Sequence, residues 1–403
     1  MAILDIQARD NSSFARAGRL RTAHGDVRTP AFVPLATKAT VKGLLPNEVA
    51  ALGYDMVLGN TFHLLLNPGP ELIKSFGGLH RFMGWEAPII TDSGGFQVFS
   101  MGHGTIAEEI KGRARHGKGK DREGAILAIR EEGVRFRSYV DGRVRLLAPE
   151  DSMAIQAALG SDIALVFDEC TPFHVDRDYT ARSTERTHRW LDRCLTWHSE
   201  YGPEGQLVYG IVQGGVYEDL RRASAQFIAD SGCEGVAIGG SLGAEKAQMY
   251  EVVGFAVEEL RGAHEQRPRH LLGIGEVDDL IRGVELGIDT FDCAMPTRLG
   301  RHGTALVPDP GTRWRVDLTK GRWREVSDPL LDGCPCPACT QGFSRGYLSY
   351  LVRSGELTGM RLLTLHNLTF MAGLMADLRE AVIDGRLPEV ASALRAGATP
   401  SWR

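Results

Sequence analysis

A (β/α)8 barrel is the fold class this sequence predicts, and three observations carry it. Eight short apolar runs of strand type recur along the chain. Most are followed by a segment of helical period, and strand–helix alternation is the mark of a parallel α/β sheet. Several runs end abruptly at an acid or an amide, and such a barrel collects its chemistry at the C-terminal ends of its strands. An open, doubly wound sheet alternates in the same way. It would place a Gly-rich phosphate loop after its first strand, and none is found there.

The elements follow in order. FARAGRLRTAHGDVRTPAFVP reads as a hairpin around His24-Gly25-Asp26, within an N-terminal hairpin region, 1–28. The strand runs are PAFVPLAT (30–37), DMVLGN (55–60), APIITD (87–92), SDIALVFD (161–168), LVYGIVQ (207–213), GVAIGG (235–240), HLLGIG (270–275) and GIDTFD (287–292). Amphipathic stretches at 150–160, 216–232 and 246–261 supply helices between them, and 358–385 is helical by period. A barrel needs only ~250 residues, so much of the 403-residue chain must sit elsewhere. The expected division is a barrel at 29–302 and 370–385 with an insertion at 101–146, a cysteine-bearing subdomain at 303–369, and a tail at 386–403. The insertion holds a cationic, Gly-interrupted stretch (104–123) and a strand pair turning at Asp141-Gly142. The Pro/Ala/Gly-rich tail is expected to fray.

Hydrophobic content of 43% and charged content of 24% are those of a soluble globular protein. No apolar run reaches the ~18 residues of a membrane span. The first residues lack a basic-then-apolar leader pattern, so the cytoplasm is the expected compartment. A net charge of −5 argues against nonspecific coating of nucleic acid. It leaves room for local basic patches, of which Lys111 to Arg122 is one and Arg298, Arg301 and His302 are another.

Seven cysteines, three of them packed between 334 and 339, make no even disulfide framework. Cys334, Cys336 and Cys339 followed by His366 spell C-x-C-x2-C-x26-H. Three thiolates and an imidazole complete a tetrahedral shell, the donor set of a structural Zn2+ closed to substrate. One zinc per subunit is expected there.

Three strands end at carboxylates, Asp92, Asp168 and Asp292. Two acids on opposite sides of a pocket can carry glycosyl transfer, one as nucleophile and one as proton handler. Asp92 is followed by Ser93-Gly94-Gly95-Phe96, where the glycines let backbone N–H groups approach a ligand and Phe96 offers a stacking face for a planar base. Asp168, Gln213 and the Gly239-Gly240-Ser241 turn occupy neighbouring rim positions, and a carboxylate with an amide can read a guanine-like edge. Asp292 is followed by Arg298 and Arg301, which suit phosphates or base edges. An Asp292–Arg298 ion pair that merely closes the loop is the plainer alternative.

At these residues the chain closely resembles the tRNA-guanine transglycosylase family of bacterial type. TDSGGFQ, FDECTP, YGIVQGG, AIGG, GIDTFDCAMPTR and the cysteine–histidine set all match in the family's order, over roughly residues 12–385. The resemblance implies a barrel with a zinc-bearing insertion, commonly a homodimer. It implies that Asp292 attacks C1′ of the ribose at tRNA position 34 in GUN anticodons, expelling guanine, and that Asp92 is the general acid/base for the incoming 7-deazaguanine. Ser93, Gly94, Gly95, Phe96, Asp168, Gln213, Gly240 and Ser241 are then the base pocket. Gly273, Ile274, Gly275, Glu276, Val277, Asp278 and Asp279, with Thr297, Arg298, Leu299, Gly300 and Arg301, are the tRNA contacts.

Three departures stand out. Gly243 replaces a usual Val, which predicts a roomier wall beside the base and leaves preQ1 (7-aminomethyl-7-deazaguanine) and queuine equally expected. Leu272 replaces a usual Met beneath the base. The basic stretch 104–123 has no counterpart in shorter members. Rival readings are a non-catalytic tRNA-binding partner subunit, a DNA deazaguanine transglycosylase, and a barrel zinc hydrolase.

Overall fold

The computed structural model describes residues 3–97, 126–171 and 175–402. The basic stretch 104–123 and its expected role lie outside the described residues.

The eight expected strands form one parallel, closed sheet. They are β1 (Ala31–Val33, continuing past Pro34 as Leu35–Ala36), β2 (Val57–Gly59), β3 (Ile89–Thr91), β4 (Ile163–Leu165), β5 (Leu207–Val212), β6 (Gly235–Ile238), β7 (Arg269–Leu271) and β8 (Thr290–Asp292). Each pairs with the next in chain order, and β8 closes on β1 through Thr290↔Ala31, Phe291↔Phe32 and Asp292↔Val33. The strands are short and aliphatic because both faces are buried: side chains fill the barrel on one side and helices cover the other.

The covering helices begin and end where local chemistry dictates. Pro149–Leu159 starts with Pro at its first position and stops at Gly160, whose φ of 69° is cheap only for glycine. Asp176 caps Arg177–Tyr201 by accepting from the Tyr179 N–H. Glu218–Asp230, Lys246–Glu259 and Val277–Glu285 follow β5, β6 and β7. The helices expected at 150–160, 216–232 and 246–261 are found to within about two residues, while Arg177–Tyr201 and Val277–Glu285 were not among those expected.

An antiparallel sheet of Leu4–Arg9, Arg16–Thr22 and Gly25–Thr29 closes the N-terminal end of the barrel. Its turn lies at Ala23-His24, because Thr22 pairs with Gly25. Buried Arg16 ties this sheet to the start of β8, donating to both oxygens of buried Asp289 at 2.8 and 2.5 Å. Between β3 and β4 the expected strand pair appears as Gly133–Arg137 and Val144–Leu147. A third strand, Ile126–Arg130, joins them unforeseen, because its short apolar run follows the basic stretch without a turn signal.

After β8 a separate small core gathers around Leu318, Leu330, Leu348 and Leu363. The long helix Leu357–Ile383 spans both cores: Leu362 and Leu363 pack in the small one, Phe370, Leu374 and Leu378 in the barrel's. The expectation of a frayed tail is wrong. Leu387–Arg395 is a helix with Leu387, Ala391 and Leu394 buried, and Trp402 meets Phe370 edge-on at 6.4 Å. Gly373 makes that possible, since a Cβ there would lie 2.6 Å from the Trp402 ring. Composition hid the i, i+4, i+7 pattern of 387, 391 and 394. Among the described residues no helix is long and apolar enough to cross a membrane.

Candidate active site and metal centre

Asp92 stands one residue past β3, and its backbone N–H still bonds to Gly59 of β2 at 3.3 Å. Its carboxylate Oδ1 accepts from the Thr61 N–H at 2.8 Å, and Oδ2 accepts from Asn60 Nδ2. Asn60 is itself fixed by capping the next helix, its Oδ1 taking the His63 N–H at 2.9 Å. These donors favour the charged form, but burial outweighs them and pushes the Asp92 carboxyl up to about 7. The negative charge of Asp292 adds to the rise, so the two acids, three strands apart around the ring, feel one another.

Asp292 ends β8 and is 7% exposed. Its Oδ1 accepts from the Gly273 N–H and from His270 Nε2, each at 3.1 Å. His270 is fully buried, and its Nδ1 lies 2.8 Å from Thr290 Oγ1. A carboxylate only accepts, so His270 carries its proton on Nε2 and takes the Thr290 hydroxyl proton at Nδ1. Both contacts fall on Oδ1. Oδ2 has no hydrogen-bond partner among the described residues, and the ion pair with Arg298 is not formed.

A second buried acid stands beside this pair. Asp168 Oδ1 accepts from Ser93 Oγ at 2.9 Å and Oδ2 from Gln213 Nε2 at 2.7 Å. Burial pushes its carboxyl up to about 6 against both hydrogen bonds. Gln213 Oε1 and Ser241 Oγ are buried with no hydrogen-bond partner among the described residues, an unusual pair of orphans that a polar ligand would satisfy. The glycines here are sterically required. A Cβ on Gly240 (φ 75°) would lie 2.2 Å from Gln213 Oε1, and one on Gly95 would lie 2.7 Å from the Asp168 carbonyl. Phe96 is half-buried against the barrel core.

Beneath this rim Arg221 is wholly buried and donates to four carbonyls: Gly215 at 2.7 Å, Val212 at 3.0 Å, Gly239 at 2.7 Å and Ser241 at 2.8 Å. It fixes the turns after β5 and β6 to one another. Burial pulls its guanidinium down to about 9.

The extra room expected at Gly243 is absent. A Cβ there would lie 2.7 Å from Gln248 Oε1 and 2.8 Å from its Cγ, so Gln248 fills the volume. Leu272 does form an apolar wall nearby, its Cδ1 3.0 Å from a Cβ placed on Gly239.

The two segments singled out for polymer contact divide by exposure. Gly273 gives its N–H to Asp292, Gly275 packs on Cys293, and Val277 is buried. Asp279 is buried, bonded to Tyr250 Oη at 2.8 Å and Lys246 Nζ at 2.8 Å, while Asp278 is more open. Glu276 binds Arg315 at 2.9 Å. Thr297 and Gly300 are also buried: a Cβ on Gly300 would lie 2.7 Å from the Thr364 backbone, so this glycine lets helix Met295–Arg301 lie against Leu357–Ile383. Arg298 is exposed, and Arg301 half-buried. Lys38 and Lys42 join them: Arg301 is held down by burial and Arg298, and Lys42 by burial, Arg301 and Lys38. These four cations therefore lie close enough to repel one another.

Asn60, Thr61, His270, Arg221, Lys38 and Lys42 escaped the sequence reading. Only Asn60-Thr61, a polar pair ending the second apolar run, carried a local signal.

In the small core Cys334, Cys336 and Cys339 place their sulfurs 3.7, 3.3 and 3.6 Å from His366 Nδ1, and the four ligand atoms lie within 4.8 Å of one another. Tetrahedral zinc with ordinary bond lengths requires S···N separations of about 3.6 Å. His366 Nε2 lies 2.8 Å from the Leu306 carbonyl, which holds its proton and leaves Nδ1 free to ligate. These four residues can hold a metal ion.

The family model described as queuine tRNA-ribosyltransferase matches residues 10–398. A queuine tRNA-ribosyltransferase of Roseiflexus sp. (strain RS-1) is 49% identical over 391 residues, covering 95% of this chain and 96% of the relative. Proteins of the same name from Pelotomaculum thermopropionicum and Moorella thermoacetica are 45% and 44% identical over 383 and 389 residues, each covering about 95% of both chains. Fold, acid pair and these matches agree, and the chain belongs to the queuine tRNA-ribosyltransferase family.

Proposed function

We propose that this chain is a tRNA-guanine transglycosylase that exchanges guanine at position 34 of GUN anticodons for a 7-deazaguanine by double displacement. The supporting observation is the electrostatic coupling of Asp92 and Asp292, with Asp168 bonded to Ser93 next to Asp92 and the buried, partnerless Gln213 Oε1 and Ser241 Oγ on the same rim. Asp292 is the nucleophile. His270 and Gly273 anchor Oδ1, and Oδ2 attacks C1′ as the bond to guanine N9 breaks and the Asp92 carboxyl gives its proton to the leaving guanine, leaving a ribosyl ester and an Asp92 carboxylate. Asp92 takes the N9 proton of the incoming base, whose nitrogen displaces the ester. A carboxyl near 7 suits that task at neutral pH. Two displacements at one carbon retain its configuration.

Asp168, Ser93, Gln213, Gly240 and Ser241 read the base edge and Phe96 stacks on its face. Lys38, Lys42, Arg298 and Arg301 hold the anticodon phosphates. The Cys3His site holds one structural Zn2+ per subunit, which fastens the small core to the long helix and has four protein ligands, so it keeps no open position for substrate. The chain works in the cytoplasm as a homodimer, with 29–302 and 370–385 as the catalytic barrel and 303–369 as the zinc subdomain.

The test is labelled-guanine exchange on tRNA of GUN anticodon, with the same anticodon stem as DNA in parallel and with preQ1 and queuine as chasing bases. Wild type exchanges on tRNA and forms a denaturation-resistant adduct on Asp292. Exchange on DNA alone, or an adduct on another residue, would refute the reading.

A further inference from the structure

At the N-terminal end of the barrel, opposite the pocket, a second group of titratable side chains converges. Asp162, just before β4, is fully buried, and its two oxygens accept the His24 and Ile89 backbone N–H groups at 3.0 and 2.8 Å. Each oxygen has a second lone pair. One faces His24 Nδ1 at 2.8 Å, from the turn of the N-terminal sheet; the other faces His80 Nε2 at 3.2 Å, from helix Gly78–Met83. The imidazoles stack with centroids 3.6 Å apart and planes 18° from parallel. All three ligand atoms lie within 4.8 Å of one another.

Two further facts point to a cation. The His80 Nε2 atom is buried and makes no well-directed hydrogen bond, although a carboxylate oxygen is 3.2 Å away. Adjacent ligands around a metal at ~2.1 Å are roughly 3.0 to 3.4 Å apart, and the 3.2 Å between His80 Nε2 and Asp162 falls in that range, while His24 Nδ1 hydrogen-bonds Asp162 at 2.8 Å. The His24 side chain is 44% exposed, so ions and water reach the cluster from that side.

We propose that His24, His80 and Asp162 form a second divalent transition-metal site, taking Zn2+ or Co2+ with water completing the shell. Two imidazoles and a carboxylate are a nitrogen–oxygen donor set without thiolate, chemically unlike the Cys3His centre. Binding requires each imidazole to present a bare ligating nitrogen, so the proton that His24 Nδ1 shares with Asp162 must leave that atom. The ion would join three segments distant in sequence: the hairpin turn, the helix after β2 and the entry to β4. Its effect is therefore on stability, remote from the acid pair.

The experiment starts from protein whose Cys3His site is filled with zinc, titrated with Co2+ and followed by visible absorption, calorimetry and melting temperature. One further equivalent should bind, with a d–d spectrum free of thiolate charge transfer and a raised melting temperature. His24→Ala, a surface change, should weaken binding roughly tenfold or more, and His24→Ala/His80→Ala should abolish it. His24→Cys should introduce a thiolate charge-transfer band at the new site. Guanine exchange should be unchanged in His24→Ala. No second equivalent in wild type, or equal binding in the double variant, overturns the proposal.

Discussion

Replacing Asp92 by Asn should inactivate the protein and stabilise it, and the size of the gain should depend on pH. The carboxyl rises from 3.8 to about 7 on folding, chiefly by burial. A group raised in this way contributes stability that is fully present below pH 3.8 and is lost as pH rises through 7. The rise of about 3 units corresponds to about 4 kcal/mol above pH 8. At pH 5 only the part between the unfolded value and pH 5 has been lost, about 1 to 2 kcal/mol. Asn at 92 does not titrate, so the variant should gain on wild type by about 2 to 3 kcal/mol between pH 5 and pH 8. The substitution also turns an amide against Asn60 Nδ2, which cannot rotate without losing its cap on His63. That costs about 1 kcal/mol at every pH and cancels from the difference. Urea unfolding of both proteins at pH 5 and pH 8 measures it, every other titrating group being common to the two. A gap that does not widen with pH, or narrows, would refute the placement of Asp92 as a buried acid.

Other outcomes follow from the same geometry. The return half of the reaction, ribosyl transfer from Asp292 to the incoming base, should slow about tenfold per unit as pH falls below 7 and Asp92 takes up a proton; a flat profile down to pH 5.5 counts against Asp92 as the base. Gly240→Ala drives a methyl to within 2.2 Å of Gln213 Oε1 at a φ of 75°, so KM for the base should rise at least ~10-fold in steady-state exchange. Arg221→Met strips hydrogen bonds from four rim carbonyls and should cost about 3 kcal/mol or more by urea midpoint. Removing metal with a chelator should release the small core around Leu318, Leu348 and Leu363, seen as amide exchange confined first to that region.

The barrel was legible because each strand is a short aliphatic run, several of them closed by an acid or an amide, and burial on both faces leaves no alternation to confuse. The Cys3His set was legible because thiolates this close have few other uses. What escaped lies inside regular elements. His270 is one more residue of β7 until the ring brings it against Asp292, and Arg221 is an ordinary helix arginine until the helix buries it beneath two turns. Gly243 shows the opposite error. A missing side chain was read as space, and Gln248, five positions on, had already taken it.

The join that completes the ring is made by the very strand that delivers Asp292, pairing residues 290–292 with 31–33. During synthesis Asp92 therefore leaves the ribosome about 200 residues before Asp292, the nucleophile of the proposed mechanism. On that mechanism ribosyl chemistry must wait for β8, until nearly three quarters of the polypeptide has been translated.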